Sequence, residues 1–382
     1  MKPRRRKLNL WMAFANGVIA AAIAWLIVHG GGLMGNSAKN IEYENQEEAI
    51  QTPEGDSTAD TNQASSNANR AAGANADNGD QPGAPAEKYN QPVIRVYLTD
   101  FRVIEKVPLE TYVRGVVAAE MPLDFEPAAL EAQAMAARTY IIRRLWLEDR
   151  TGNPVDNVDV TDTQTHQVYR SLSEMKRLLS ENEQGWRKVD KAVSKTAGEI
   201  IVYRDQPIEA LFFSTSNGYT ENSEEVFPAK LPYLRSVASP WDKEASPRAR
   251  ETVEMALTDF YAKLGLKTIP VNIKLQEQAN IRILEWTDGR RVKQMLAGGK
   301  KLTGEEVRHR LGLRSASFDL KISNNRVILT TYGSGHGVGM SQWGAEGMAK
   351  AGKTANQIVE YYYSGTRTEK VSKLVNSTGK RL

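Results

Sequence analysis

The residues best suited to chemistry in this chain fall in five short stretches. The first, Val116-Val117-Ala118-Ala119-Glu120-Met121-Pro122, sets a carboxylate among apolar residues in the last turn of a predicted helix. Burial among such neighbours raises a carboxyl pKa, and the negative end of the helix dipole pushes the same way. A glutamate kept protonated in this manner can act as a general acid on a glycosidic bond, whose leaving oxygen needs a proton as the C–O bond breaks. A helix-end glutamate paired with Arg138 or Arg114 would give the same pattern, and position alone leaves both readings open.

The second stretch, Ala134-Met135-Ala136-Ala137-Arg138-Thr139-Tyr140, carries a long cation on an alanine-rich helix, where it can orient Glu120, bind substrate, or serve as an ordinary ion-paired arginine. The third, Asp162 to Tyr169, mixes amides, hydroxyls and an aromatic ring. Gln167 and Tyr169 are its candidates for gripping a sugar, though any polar surface loop looks similar. The fourth, Phe213-Ser214-Thr215-Ser216-Asn217-Gly218-Tyr219, supplies Ser216 as a candidate contact but lacks the Gly-x-Ser-x-Gly elbow of a serine hydrolase.

The fifth, Tyr332 to Gly344, alternates glycine with other residues around His336 and ends near Gln342. Glycines let backbone approach a ligand or another chain closely, which makes His336 and Gln342 candidate substrate contacts. The stretch is no phosphate loop, because the Lys-Ser/Thr ending and the Gly-x-Gly-x-x-Gly spacing are both missing. A metal role is weak as well: the other histidines are His29, His166 and His309, with no His-x-x-x-His or Glu-x-x-His pairing.

These groups need a scaffold, and the patterning predicts an α+β domain of helices and mostly antiparallel sheet. Val93 to Leu98 reads as a strand. Leu109, Tyr112, Val113, Val116 and Val117 form the stripe of an amphipathic helix that Glu120 continues and Pro122 ends. A second helix is expected from Pro127 to Leu147, and another opening at Ser173. Glu199–Tyr203 and Glu209–Thr215 read as paired strands around Asp205-Gln206-Pro207. Hairpins are expected around Asp288-Gly289 and Asn324-Asn325, and a helix capped by Thr303 and Glu306 that ends near Gly312.

Ahead of this domain, residues 1–9 form a basic tail with Lys2, Arg4, Arg5, Arg6 and Lys7, followed by an apolar run over 10–28. About 19 residues at 1.5 Å each nearly span a bilayer core of roughly 30 Å. The positive-inside rule leaves the N-terminus in the cytoplasm and sends the rest across; a cleaved signal peptide is the rival reading, against which stand the length of the run and the lack of a good Ala-x-Ala site after it. Residues 29–90 hold few large apolar side chains and read as a disordered tether. The domain is expected over 91–370, with a tail at 371–382. Cysteine is absent and the net charge is only +4, much of it before the apolar run, which excludes disulfides and thiolate metal sites and gives nucleic-acid binding no support.

Five segments in one order resemble the stage II sporulation protein D family over about residues 93 to 365. They are Pro108 to Val113 leading to Glu120-Met121-Pro122, Ala132 to Tyr140, Gln167-Val168-Tyr169, Ser214 to Thr220, and Gly335 to Gln342. The resemblance implies a peptidoglycan lytic transglycosylase acting on glycan strands stripped of stem peptides, with Glu120 at the position of the family's catalytic glutamate and Arg138 in substrate handling. It implies stage II sporulation proteins M and P as partners and a place on the mother-cell side of the engulfing membrane. Some members carry a His/Cys metal cluster just before Gln-x-Tyr. Here His166 stands alone and Phe213 sits where a histidine often begins the Ser-Thr-Ser stretch, so neither a structural zinc nor any cofactor is expected. The same domain also resembles enhancers of cell-wall amidases, in which Glu120 would be structural.

Overall fold

A hairpin delivers the first helix. Strand β1 (Val93–Leu98) buries Ile94, Val96 and Leu98 on alternate positions and pairs antiparallel with β2 (Val103–Pro108). Pro108 then stands at the N-cap of α1 (Leu109–Glu120), whose expected apolar stripe is fully buried. Met121 leaves the helix in an extended conformation, which fits a residue that precedes proline.

This computed structural model describes residues 91–266 and 281–374; the expected membrane anchor and tether lie outside them. Among the described residues no helix is long and apolar enough to cross a membrane.

Helix α2 (Pro127–Trp146) begins with proline at its first turn and lies at the centre of the domain. Ala129, Ala132, Ala134, Ala136 and Ala137 are buried along it, and their small side chains let neighbours pack close from several directions. Those neighbours include α1 and five later elements. Next comes the short β3 (Val160–Thr161), parallel to β1. The expected helix opening at Ser173 starts earlier, at α3 (Leu172–Glu181), because Ser171 and Glu174 form a reciprocal capping box. Asn182 interrupts it and caps α4 (Glu183–Lys195) with its own side chain. Helix α4 packs on both α1 and α2.

Strand β4 (Glu199–Tyr203) turns through Arg204 and Asp205, both at positive φ, and across that turn pairs with the short β5 (Gln206–Pro207). The expected pairing of Glu199–Tyr203 with Glu209–Thr215 is therefore corrected. The chain leaves the ladder, and β6 (Phe212–Phe213) pairs in parallel with a later strand from the glycine-rich stretch. Glycine is what permits this: a Cβ on Gly339 would lie 2.1 Å from the Leu211 carbonyl oxygen.

After the one-turn α5 (Asp242–Ala245) the chain builds a second apolar core. It comprises β7 (Arg250–Ala256), α6 (Leu257–Lys263), β8 (Ile281–Trp286), β9 (Val292–Ala297), β10 (Lys300–Thr303), α7 (Gly304–Leu311), β11 (Phe318–Ser323) and β12 (Arg326–Tyr332). The hairpins form around Asp288-Gly289 and Asn324-Asn325, and α7 carries the Thr303/Glu306 capping box and ends on a left-handed Gly312. The chain returns as β13 (Met340–Ser341), the partner of β6. Then come α8 (Gln342–Lys350) and α9 (Ala355–Tyr362), both packed on α2, and β14 (Arg367–Lys370) alongside β4. The sheets are mostly antiparallel, as the α+β expectation had it. Val371 and Leu374 are buried, so packing extends past the expected boundary at 370.

Candidate active site

Glu120 is the meeting point of three segments far apart in sequence. As the last residue of α1 it cannot form a further helical turn, and its carboxylate points at the loop of residues 162–170. There the Val168 N–H donates to Oε1 at 3.2 Å. The Gln342 side-chain amide, on the first residue of α8, lies 3.5 Å from Oε2. Burial pushes the Glu120 carboxyl up to about 7, partly offset by the hydrogen bonds from Val168 and Gln342. Neither arginine that could have neutralised it does so: Arg114 pairs with Asp190 at 2.6 Å and Arg138 with Glu110 at 2.6 Å.

The 162–170 loop is held against α1 by its own side chains. Tyr169 stacks on Tyr112 with ring centroids 5.4 Å apart and donates its hydroxyl to Glu105 at 2.7 Å. Tyr112 in turn donates to the Gln167 Oε1 at 3.1 Å, while the buried Gln167 Nε2 has no protein partner. Arg170 closes the loop through its backbone N–H to Gly115 and its Nε to the Ala118 carbonyl, at 3.2 and 2.9 Å.

Gly115 is the reason the loop can dock so closely, since a Cβ there would lie 2.3 Å from the Tyr169 ring. In an open helix face Gly→Ala would gain about 1 kcal/mol. Here the Gly115→Ala chain is expected to lose about 1–3 kcal/mol from overpacking, read by urea unfolding, and to lose activity more than tenfold as Val168 shifts from Glu120. An unchanged activity would show that the loop does not position the acid.

The glycine-rich stretch forms the opposite part of the site. His336 Nδ1 accepts the Val338 N–H at 3.1 Å and Nε2 donates to the Phe212 carbonyl at 3.1 Å. Both ring nitrogens are thus committed, and burial, with Arg308 and Arg291 nearby, depresses the imidazole to about 3. His336 is a neutral structural ring in a cleft wall, with no proton to exchange near neutrality. Behind it Arg291 lies where a Gly337 Cβ would be, only 2.0 Å from that position.

Glu120, Gln167, Tyr169, His336 and Gln342 line one cleft with a volume of about 730 Å³, large enough for a ligand of several rings. Two candidates do not belong to it. Arg138 has no accessible surface, and its guanidinium is taken up by Glu110 and by the carbonyls of Ala134, Val193 and Glu199. The expectation that it contacts substrate is corrected to a buried structural pair. Ser216 is likewise buried, its hydroxyl bonded to Asp242 and the Ser239 carbonyl; Ser214, two residues earlier, lines the cleft, as does Ser334.

His166 lines the cleft too, with Nδ1 accepting from the Thr161 N–H and Nε2 facing the Thr151 carbonyl; burial lowers it to about 4. Among the described residues no group of three or more His, Cys, Asp or Glu side chains could hold a metal ion. The sequence reading missed several cleft residues: Glu209, whose pKa burial raises, and the arginines 143, 170, 248 and 314. Arg170 directly follows Gln-Val-Tyr and could have been found; Arg248 and Arg314 stand in stretches with no local pattern.

A family model described as stage II sporulation protein matches residues 97–203, the span that holds Glu120, Gln167 and Tyr169. Stage II sporulation protein D of Bacillus subtilis (strain 168) is 44% identical over 296 residues, 77% of this chain and 84% of that protein. The protein of the same name from Bacillus amyloliquefaciens is 45% identical over 283 residues, 74% of this chain and 80% of its own length. The amidase enhancer of Bacillus subtilis (strain 168) is 29% identical over 301 residues, 66% of this chain but 39% of that protein. At these identities and coverages, the chain belongs to the stage II sporulation protein D family.

Proposed function

We propose that this sporulation protein is a lytic transglycosylase that cuts the bond from N-acetylmuramic acid to N-acetylglucosamine in peptide-free peptidoglycan strands. The observation that carries the reading is Glu120, a carboxyl on a ligand-sized cleft, with a pKa of about 7 and no cation paired to it. Protonated, it donates to the bridging oxygen, which leaves as the hydroxyl of the N-acetylglucosamine product. The muramyl C1 acquires oxocarbenium character and is attacked by the same sugar's C6 oxygen. Glu120, now a carboxylate, takes the C6 hydroxyl proton and returns to its starting state. No water enters the balance, and the product end is 1,6-anhydromuramic acid. Val168 and Gln342 keep the carboxyl aimed throughout.

In the cell the chain would act from a single-pass anchor, with the catalytic domain outside the cytoplasm on the mother-cell side of the engulfing membrane. Stage II sporulation protein P would remove stem peptides first, and protein M would share the complex. Mass spectrometry of peptide-free strands after incubation tests the chemistry: anhydromuramyl ends are expected, and reducing ends alone would show hydrolysis instead.

The rate should follow the protonated fraction of Glu120. It is expected to be flat below the folded pKa of about 7 and to fall about tenfold per pH unit above it, because only the protonated acid can start the cycle. A rate that rises through pH 7 would assign Glu120 the wrong starting state. The similarity to the amidase enhancer motivates a second reading, in which the domain binds wall or an amidase without cutting. Under that reading no anhydro ends appear, and added chain raises the rate of a cell-wall amidase.

A further inference from the structure

Three serines from distant parts of the chain converge on one buried carboxylate, Asp242, the first residue of α5. The Ser216 N–H donates to its Oδ1 at 2.8 Å, and the Ser216 hydroxyl, shared with the Ser239 carbonyl, to its Oδ2 at 2.9 Å. The Ser239 hydroxyl reaches Oδ2 at 2.7 Å and the Ser341 hydroxyl reaches Oδ1. Tyr362, the last residue of α9, backs the cluster with its hydroxyl 2.8 Å from that of Ser239. None of these side chains lines the cleft, and the proposed chemistry uses none of them directly.

What the cluster holds is the start of α8. Ser341 is the N-cap of that helix, and its oxygen accepts the Gly344 N–H at 3.3 Å. A serine hydroxyl has a single proton to give, and a carboxylate only accepts. Asp242 therefore takes the Ser341 proton and leaves the lone pairs for the cap, the Ser214 carbonyl at 3.5 Å being the weaker acceptor. Gly344 lets the first turn press against the same group. A Cβ there would lie 2.0 Å from the Tyr362 hydroxyl, 2.6 Å from the Ser239 Oγ and 2.9 Å from the Asp242 Oδ2.

Gln342 follows Ser341 directly, and its amide stands 3.5 Å from the Glu120 Oε2, at the long limit of a hydrogen bond. A turn of the helix end that carries this amide away by about 0.5 Å breaks the contact. We propose that Asp242 is a positioning residue of the site: through Ser341 it fixes the rotation and depth of the α8 N-terminus, and with them the aim of the Gln342 amide at Glu120. This rests on Glu120 as the acid, and it places Asp242 outside the residues that touch substrate.

The Glu120 carboxyl reports its own surroundings. Burial raises its pKa and the bonds from Val168 and Gln342 oppose that rise, so an amide that swings away leaves the pKa higher. The ionisable groups on the elements around it are Tyr112, His166, Tyr169, Arg170 and Glu346. The first four are tied within α1, the 162–170 loop and their neighbours, and Glu346 is held by Lys350 and the Glu126 N–H.

The test uses the full-length chain in detergent with carboxyl-13C glutamate, the Glu120 signal being the one that Glu120→Gln removes. Asp242→Asn, Ser341→Ala and Gln342→Leu are each expected to move its titration midpoint upward from about 7, and Asp242→Asn to add nothing once Gln342 is leucine. In release of anhydromuramyl ends, Asp242→Asn and Ser341→Ala should lower kcat about tenfold with KM within about twofold. Should Asp242→Asn fail to fold, Ser341→Ala, which removes one hydroxyl, carries the comparison. Variants that melt earlier yet leave the Glu120 midpoint in place would make the cluster structural only and overturn the proposal, as would a full additional shift on top of Gln342→Leu. If the midpoints move as expected but the unsubstituted chain leaves no anhydro ends, the positioning stands and the cleavage reading falls.

Discussion

Glu120→Gln is expected to lower the rate of anhydromuramyl product formation by about a thousandfold, within the range removed when a general acid is lost. The substitution keeps the shape and both hydrogen-bonding partners within reach, so binding of peptide-free strands should remain within a few-fold of the unsubstituted chain's. Loss of turnover with retained binding is the signature of an acid; a Glu120→Gln chain that cuts at a similar rate would remove Glu120 from the mechanism. Stability supplies an independent check on the same group. The folded carboxyl titrates at about 7 and an ordinary glutamate at 4.5. Between those values the folded chain holds a proton that the unfolded chain has released, so this group's contribution to stability falls as pH rises through that window. Glutamine carries no such penalty. The variant should melt with the unsubstituted chain at pH 4 and above it at pH 8.

The second large effect is on folding. Arg138 is wholly buried against Glu110, whose carboxylate also accepts the Gly198 N–H at 3.0 Å. Arg138→Met strands that carboxylate in the core and is expected to cost about 3–5 kcal/mol in urea unfolding. Removing both charges, as Glu110→Leu/Arg138→Met, should recover part of the loss. Recovery stays incomplete because the Gly198 N–H and the Glu199 carbonyl lose their partners. A substrate-binding arginine would behave differently: its removal would weaken glycan binding while leaving the unfolding midpoint in place.

The helices were the legible part of this fold. The stripe from Leu109 to Val117 and the capping signals at Thr303/Glu306 are local, and each is present in the structure where the spacing puts it. The path of residues 209–215 was not, because their partner lies in the glycine-rich stretch more than a hundred residues away and no local rule names it. The site shows the same division. Glu120 was visible as a polar residue on an apolar stripe, and Gln167 and Tyr169 as part of a compact motif. For Arg138 the sequence leaves an ion pair and a substrate contact both open, because alanines around a cation fit burial as well as a reach across a cleft. Only the position of Glu110, 28 residues earlier on another helix, separates the two.

One consequence of the way Glu120 is held concerns timing. Its two hydrogen-bond donors stand 48 and 222 positions further along the chain. The neighbouring Glu126 N–H reaches just as far, to the Glu346 carboxylate of α8 at 2.7 Å. A nascent chain emerging N-terminus first thus exposes its acid long before the segment that completes the pocket exists. Until residues 336–346 have emerged and docked, Glu120 lacks Gln342 and the cleft lacks a wall. The site is thus complete only when synthesis is nearly finished, and a copy truncated before residue 336 would carry Glu120 without the Gln342 amide beside it.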